Sequence, residues 1–367
     1  MAHSTLKDLV NWTPHKPTIF PLQQANIKGC WSCSAAILPG GKPVMLYIGI
    51  DLQERRVQNL AIPKNLSDPY LTKWIKYPKN PVMAPTSKNK INASAFRDPI
   101  TTWLGPDKMW RVLIGSRVNK LGLAILYKSK DFEHWTPAEK PLHSAEAHGW
   151  KKVKYVLKNS LDETKHDYYT FGTYDVVKDK YFPYKGMTKG DLGLRYDYGK
   201  FYASKTFFDS EKQRRILQGW ANESSSVKDD VQKGWTAVQV DIEVGFEVSH
   251  ELKKVEVFKE KWYNPQLLCS KKKCFSERSS LNKHNDNTTY GAFVDLVPAR
   301  EQLSLKSLID RSILESFGRG GKAVITASVY PTQAIENKIK LFVFNNGTSS
   351  VKITYLNAWS IKRAQIS

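Results

Sequence analysis

One eight-residue frame occurs twice in this chain. Lys7-Asp8-Leu9-Val10-Asn11-Trp12-Thr13-Pro14 returns as Lys130-Asp131-Phe132-Glu133-His134-Trp135-Thr136-Pro137, a Lys-Asp-apolar-x-x-Trp-Thr-Pro pattern. Each copy leads into turn-rich chain and short β-type runs, among them Val44–Gly49, Ala124–Tyr127 and Tyr168–Tyr174. Repeated strand units with a tryptophan at a fixed place are what a β-propeller requires, because every blade buries the same faces against its neighbours. The repeat therefore predicts a propeller over residues 1–237. The 17 Tyr, 11 Trp, 18 Pro and 21 Gly spread along the chain fit short strands and turns better than long helices.

Beyond 237 the texture changes. Val238–Val248 alternates apolar and mostly polar residues, the mark of a strand with one wet face. The runs Ser304–Ile309, Ala323–Tyr330, Ile339–Phe344 and Val351–Leu356 are of similar length and separated by turn residues. These predict a β-sandwich over 238–367, with Lys271–Thr289 as an exposed loop.

Charge and cysteine content narrow the function classes. The net charge is +21, from 56 Lys and Arg against 35 Asp and Glu. The basic residues are dispersed and accompany no nucleic-acid-binding pattern, so an acidic polysaccharide fits the charge better than a nucleic acid does. Met1–Val10 lacks the apolar core of a signal peptide, and no window is long and apolar enough to span a membrane. Six Asn-x-Ser/Thr sequons, at Asn11, Asn65, Asn92, Asn222, Asn287 and Asn346, nevertheless suit a secretory lineage. Of the four cysteines, Cys30 and Cys33 have CxxC spacing without a redox-type context, and Cys269 and Cys274 lie too far out of pattern to complete a zinc site. No metal or organic cofactor is implied.

The stretch Ala93–Trp103 carries the chemistry. Its Arg97-Asp98-Pro99 triplet precedes the β-type run Met109–Gly115, and the proline keeps Asp98 out of the helical region. An aspartate beside a guanidinium can face a developing positive charge. An Asp-Pro turn with a local ion pair would account for the triplet alone; its company further along decides otherwise.

Five strings stand in order: Gly29-Cys30-Trp31-Ser32, Phe96-Arg97-Asp98-Pro99, Phe171-Gly172-Thr173-Tyr174-Asp175, Trp220-Ala221-Asn222-Glu223, and Leu308–Gly318 with its Asp-x-Ser-x-x-Glu-x-Phe core. Together they resemble family 32 of the glycoside hydrolases, and within it the plant cell-wall invertases and fructan exohydrolases. The resemblance implies an all-β fold, a five-bladed β-propeller followed by a β-sandwich. It also implies retaining hydrolysis of terminal β-fructofuranosides such as sucrose or fructans, in the cell wall. Retention uses two carboxylates about 5 Å apart, one attacking the sugar and one protonating the leaving oxygen. The resemblance gives Asp98 a third role, transition-state stabilisation and hydroxyl binding, with Arg97 beside it. Trp31 and Ser32 would line the sugar pocket, and Asp175 and Lys178 would sit toward the leaving group. Cys269 and Cys274 match a pair that relatives bridge by a disulfide, here across so short a loop that it would staple little.

The departures matter as much. The family nucleophile lies in an Asn-Asp-Pro-Asn-Gly string that does not occur here, and the expected propeller is accordingly incomplete in its first blade. The acid/base glutamate lies in a Glu-Cys-Pro-Asp string shortly after a segment like His143–Gly149; here that segment runs straight into Trp150–Val156. Glu146 belongs to the flank. Three functions follow from the sequence: an invertase-like protein that is catalytically impaired, an active β-fructofuranosidase whose coding sequence holds further segments, and a non-catalytic protein that binds cell-wall polysaccharide or an invertase.

Overall fold

The computed structural model describes residues 1–6, 12–86, 91–118, 121–139, 141–142, 155–184, 187, 194–223, 225–244, 290–292, 302–310, 312–330, 350 and 352–359. Among the described residues, twenty strands account for nearly all of the regular structure, beside the one-turn 3-10 helix Gln24–Asn26 and the short helix α1 (Val227–Lys233). β1 (His3–Leu6) and β2 (Trp12–His15) form a two-stranded sheet. β3 (Gly29–Leu38), β4 (Lys42–Ile50), β5 (Arg56–Pro63) and β6 (Trp74–Lys76) form a four-stranded antiparallel meander. β7 (Trp103–Leu104), β8 (Trp110–Val118), β9 (Leu121–Ser129) and β10 (Thr136–Pro137) repeat it. A third sheet takes β11 (Tyr155–Leu161), β12 (His166–Asp175), β13 (Lys180–Pro183) and β14 (Leu194–Arg195). β15 (Phe201–Asp209), β16 (Arg214–Ala221) and β17 (Gln239–Val244) follow, then β18 (Leu305–Asp310), β19 (Ile313–Gly318) and β20 (Ala323–Ser328). The all-β class is as the sequence implies: four-stranded meanders in series are propeller blades, and the sheet around the Asp-x-Ser-x-x-Glu-x-Phe string belongs to the sandwich.

The repeated frame proves to be a turn that feeds an outer strand. Asp131 Oδ1 accepts the backbone N–H groups of Glu133 and His134 at 2.9 and 2.8 Å, Phe132 takes a left-handed φ of +68°, and Trp135 Nε1 donates to Phe132 O at 2.9 Å. Trp135 and Phe132 then bury against Trp110 and the core between the two meanders. A third copy, hidden by two extra residues, runs from Asp68 to Trp74. Its Leu71 has φ +46° and accepts from Trp74 Nε1 at 2.8 Å. Trp12 differs from the expectation of a buried tryptophan, being 44 % exposed at the start of β2.

Two compact units divide the chain, Met1–Val156 with Phe171–Lys185 and Leu157–Thr170 with Gly186–Ser367. In the first unit the core is Ala36, Val44, Leu46, Leu60, Phe96, Val112, Ile114, Ile125 and Tyr127 with their neighbours, contributed by both meanders. The first unit also buries an ion cluster that the sequence did not announce. Arg111, 2 % exposed, holds Asp179 through Nε at 2.8 Å and Nη2 at 3.2 Å, and Asp107 through Nη1 at 2.7 Å and Nη2 at 3.0 Å. Lys128 and the Tyr174 hydroxyl complete the shell around Asp179. Burial works against ionising Asp179, but hydrogen bonds from Arg111, Lys128 and Tyr174 overcome it and hold the carboxyl below its ordinary range. The hydrogen bond from Arg111 likewise draws Asp107 down to about 2.

In the second unit, Phe201, Leu217, Ala221, Val240 and Ile313 form one core, so the β18–β20 sheet packs on the β15–β17 sheet. The connection entering β15 is stitched to β20: Tyr198 N donates to Val324 O at 2.8 Å and Lys200 N to Thr326 O at 2.7 Å. Gly199 permits this approach, because a Cβ there would lie 2.0 Å from Thr326 O. Asp197 closes the joint with Oδ1, which accepts from Gly199 N at 2.6 Å and Thr326 N at 3.2 Å, while its Oδ2 is buried without a partner.

Two strand assignments are corrected. The alternating run from Val238 was expected to open the sandwich. Gln239–Val244 instead pairs with Arg215–Trp220 in continuous register, because β16 has an open edge that the alternating strand satisfies. Lys352–Leu356, expected as a strand, has no strand structure. Ile339–Phe344, the Lys271–Thr289 loop, the Cys269–Cys274 pair, and Asn11, Asn287 and Asn346 lie outside the described residues. Asn65 and Asn92 sit in exposed turns, and Asn222 is half-buried at the end of β16. Among the described residues, no helix is long and apolar enough to cross a membrane.

Two outcomes test this packing. Asp179→Ala strips a buried guanidinium of its carboxylate and should lower unfolding free energy by about 3–5 kcal/mol, whereas Asp107→Ala, removing a half-exposed partner, should cost far less; equal losses in thermal melts would contradict the cluster. The second concerns pH. Burial pushes Asp197 up to about 7, against the hydrogen bonds of Thr326 and Gly199, so between about 4 and 7 the folded chain keeps a proton that the unfolded chain has released, and stability falls as pH rises. Burial pushes His166 down to about 4, helped by Arg195 and Lys200, so up to about 6.5 the unfolded chain holds the extra proton and stability rises with pH. Asp197→Asn should remove the falling contribution, steepening the pH slope of denaturation free energy by roughly 1.4 kcal/mol per unit, and His166→Asn should remove the rising one.

Candidate active site

The residues flanking Asp98 are fixed before Asp98 itself is considered. Phe96 is fully buried, and its carbonyl accepts from the buried Gln58 Nε2 of β5 at 3.0 Å. Arg97 and Gly115 of β8 form an isolated antiparallel bridge, N to O at 3.0 Å one way and 2.8 Å the other. Ile100 N donates to Leu113 O at 3.1 Å. Pro99 O accepts the hydroxyl of Ser34 from β3. Three strands thus hold a five-residue stretch.

Within that hold Asp98 adopts φ +61°. The proline does keep it out of the right-handed helical region, and the backbone resolves the restriction on the left-handed side, which L-residues enter at a cost on the order of 1 kcal/mol. Strain of this kind persists where the surroundings over-determine the conformation. Its result is a carboxylate lifted into solvent, 52 % exposed, with Arg97 Nε 3.5 Å from Oδ2. An ion pair so exposed contributes little to stability, so the carboxylate is presented rather than buried.

Trp31 and Ser32 reach the same neighbourhood through β3. Ser34, two residues on, is the donor to Pro99, so β3 joins the Trp31–Ser32 segment to the Arg97–Pro99 segment. Both residues are exposed, Trp31 to 39 %, on a β-bulge between Cys30 and Cys33. Sequence reasoning missed Arg56. Its guanidinium lies 5.0 Å from the centroid of the Trp31 ring, its Nη1 donates to Glu54 O at 2.8 Å, and its backbone N donates to Ala93 O at 2.9 Å. Its Nε is buried without a partner. Nothing in an Arg55-Arg56 pair in a turn points to this placement; only the β4–β5 register does, setting Arg56 opposite Ile50 and so across the sheet from β3.

Asp175 and Lys178 occupy the β12–β13 hairpin. Asp175 Oδ1 accepts the N–H groups of Val177 and Lys178, both at 3.0 Å, and Lys178 Nζ stands 3.9 Å from Asp175 Oδ2. The structure thus gives Asp175 a turn role. The hairpin is anchored through Asp179 on Arg111 and through Tyr174, packed edge-on to Trp103 at 6.3 Å. Glu223 of the Trp-Ala-Asn-Glu string is likewise structural: its oxygens accept from Trp220 Nε1 at 3.0 Å and Val238 N at 2.9 Å. Chemically, the Asp98 region offers an exposed anion, a guanidinium and an indole face, which suits a polyhydroxylated ring that develops positive charge. Among the described residues, no group of three or more His, Cys, Asp or Glu could hold a metal.

Comparison with known proteins agrees. Residues 2–243 match the N-terminal domain of glycosyl hydrolases family 32, and residues 210–360 match its C-terminal domain. The insoluble β-fructofuranosidase isoenzyme CWINV1 of Arabidopsis thaliana is 44 % identical over 491 aligned positions, covering all of this chain and 84 % of the relative. The fructan 6-exohydrolase of Beta vulgaris is 42 % identical over 486, covering all of this chain and 80 % of the relative. Among solved structures, fructan 1-exohydrolase IIa from Cichorium intybus superposes with a TM-score of 0.78 at 34 % identity over 90 % of this chain and 83 % of that one. A single-residue variant of that enzyme in complex with 1-kestose gives 0.76 at 34 % identity, with the same coverage. By two domain models that together run from residue 2 to residue 360, and by relatives matched along its whole length, this chain belongs to family 32 of the glycosyl hydrolases.

Proposed function

We propose that this protein binds β-fructofuranosyl groups at the Asp98 site and, as its sequence stands, does not hydrolyse them at the rate of an intact family enzyme. Trp31 offers its face to the sugar ring, Ser32 and Arg97 bond its hydroxyls, and Asp98 stabilises positive charge at the anomeric carbon. In this reading Asp175 and Lys178 serve the leaving-group side from the β12–β13 hairpin.

The observation that carries the reading is internal to the chain. The CWINV1 alignment spans 491 positions while this chain has 367 residues, so at least 124 positions, 491 less 367, stand opposite gaps within the matched region. We assign one such junction to the place where His143–Gly149 runs into Trp150–Val156 without a Glu-Cys-Pro-Asp string. A leaving alkoxide that receives no proton departs about 10²–10⁴-fold more slowly. Asp98, an exposed carboxylate beside Arg97, can hold positive charge but does not replace both the nucleophile and the acid.

The second reading, an active β-fructofuranosidase, draws support from 44 % identity sustained along the whole chain. A cell-wall setting is supported by relatives named as cell-wall or insoluble enzymes and by the +21 charge, which favours acidic polysaccharide. We place the passage from propeller to sandwich after Val244 rather than at 237/238, since β17 completes the sheet of β15 and β16.

Purified protein, free of host invertase, should release fructose from sucrose or 1-kestose at least about 10²-fold more slowly than an intact family enzyme, and Asp98→Asn should lower that residual rate further. Release at the full rate, abolished by Asp98→Asn, would establish the second reading instead.

A further inference from the structure

We infer that Cys30 and Cys33 form a thiol pair that closes to an intramolecular disulfide, drawing together the two ends of the bulge that carries Trp31 and Ser32. Residues three apart in a regular strand point to opposite faces. β3 breaks this alternation: Cys30 stands opposite Gly49 and Cys33 opposite Tyr47, so three steps along β3 match two along β4. Trp31 and Ser32 are left to face Ile48 together, the two-against-one count of a bulge. Both cysteines therefore turn to one face, and both pack against the cluster of Ile19, Tyr47 and Ala61.

The compressed span is that of two strand residues, about 6.7 Å between Cα atoms. A disulfide bridges Cα separations up to about 6.8 Å, with Cβ atoms about 3.8 Å apart, so the pair sits at the upper edge of reach and closure requires the already irregular bulge to tighten until the two Cβ atoms converge. Both residues carry thiols and are half-buried. The Cys30 sulfur accepts from Asn26 Nδ2 at 3.4 Å and Lys76 Nζ lies 3.4 Å from Asn26 Oδ1; burial pushes the Cys30 thiol up, and the Lys76 charge opposes it in part.

The oxidant is a small disulfide such as oxidised glutathione. One cysteine thiolate attacks it, forming a mixed disulfide and releasing one glutathione thiolate. The second cysteine thiolate attacks the protein sulfur of that mixed disulfide and expels the other. In sum two cysteine thiols and one oxidised glutathione become one Cys30–Cys33 bond and two reduced glutathiones, which carry away both protons. The crosslink rests on strand register alone; its consequence for sugar binding rests on the reading of Trp31 and Ser32 given above.

The test is thiol accounting on the full chain, folded and in denaturant, titrated with mixtures of oxidised and reduced glutathione, quenched with iodoacetamide and digested with trypsin. Both cysteines fall in the peptide Gly29–Arg55, which holds no other cysteine. In the folded protein this peptide should pass in one step from doubly alkylated to unalkylated and two hydrogens lighter, at a roughly tenfold lower ratio of oxidised to reduced glutathione than in denaturant. Cys33→Ser should arrest the reaction at a glutathione adduct on Cys30. Two labels retained throughout, stable glutathione adducts on the unmutated chain, or equal closure in denaturant would each overturn the inference.

Discussion

Residues 96–100 are gripped from three directions, by the Gln58 amide below Phe96, by the Arg97–Gly115 bridge and the Ile100–Leu113 bond along β8, and by the Ser34 hydroxyl on Pro99. A left-handed aspartate ahead of a proline is not a conformation that a free loop would keep. The cost is met by hydrogen bonds whose partners are buried strand residues, so the two meanders of the first unit must be folded before Asp98 points anywhere useful. The same Ser34 bond that fixes Pro99 also fixes β3, and with it the bulge bearing Trp31 and Ser32. Site and scaffold are in this sense one hydrogen-bond system.

Much of this could be read from the chain beforehand, and the parts that could not share a physical cause. The Lys-Asp-apolar-x-x-Trp-Thr-Pro frame was visible because its turn chemistry is local: an Asx turn at Asp131, a left-handed residue, and an indole closing on the carbonyl three back. The copy at Asp68–Trp74 has the same geometry but two extra residues, so spacing concealed what hydrogen bonding reveals. Alternation identified Gln239–Val244 as a strand but carried no information about which sheet edge it meets. Arg56 over Trp31 and Arg111 between Asp107 and Asp179 are long-range pairings, set by register and packing between distant segments.

The second unit follows a different logic. Its sandwich sheet is joined to the preceding sheet by apolar packing around Phe201 and Ile313 and by a polar joint at Asp197, Gly199 and Thr326. A buried carboxyl with one oxygen doubly bonded to backbone and the other without a partner is better satisfied when protonated. That joint therefore favours mildly acidic conditions, while Trp31, Ser32, Arg97 and Asp98 lie in the first unit.

The central claim is that the three-strand grip presents Asp98 to a fructosyl ring. Calorimetric titration of fructose into the unmodified protein and into Ser34→Ala measures it directly. Removing the hydroxyl costs about 1 kcal/mol of hydrogen bonding, and the claim predicts a several-fold loss of fructose affinity with the melting transition nearly unchanged. Absence of fructose binding in the unmodified protein, or equal affinity in the two, would contradict it.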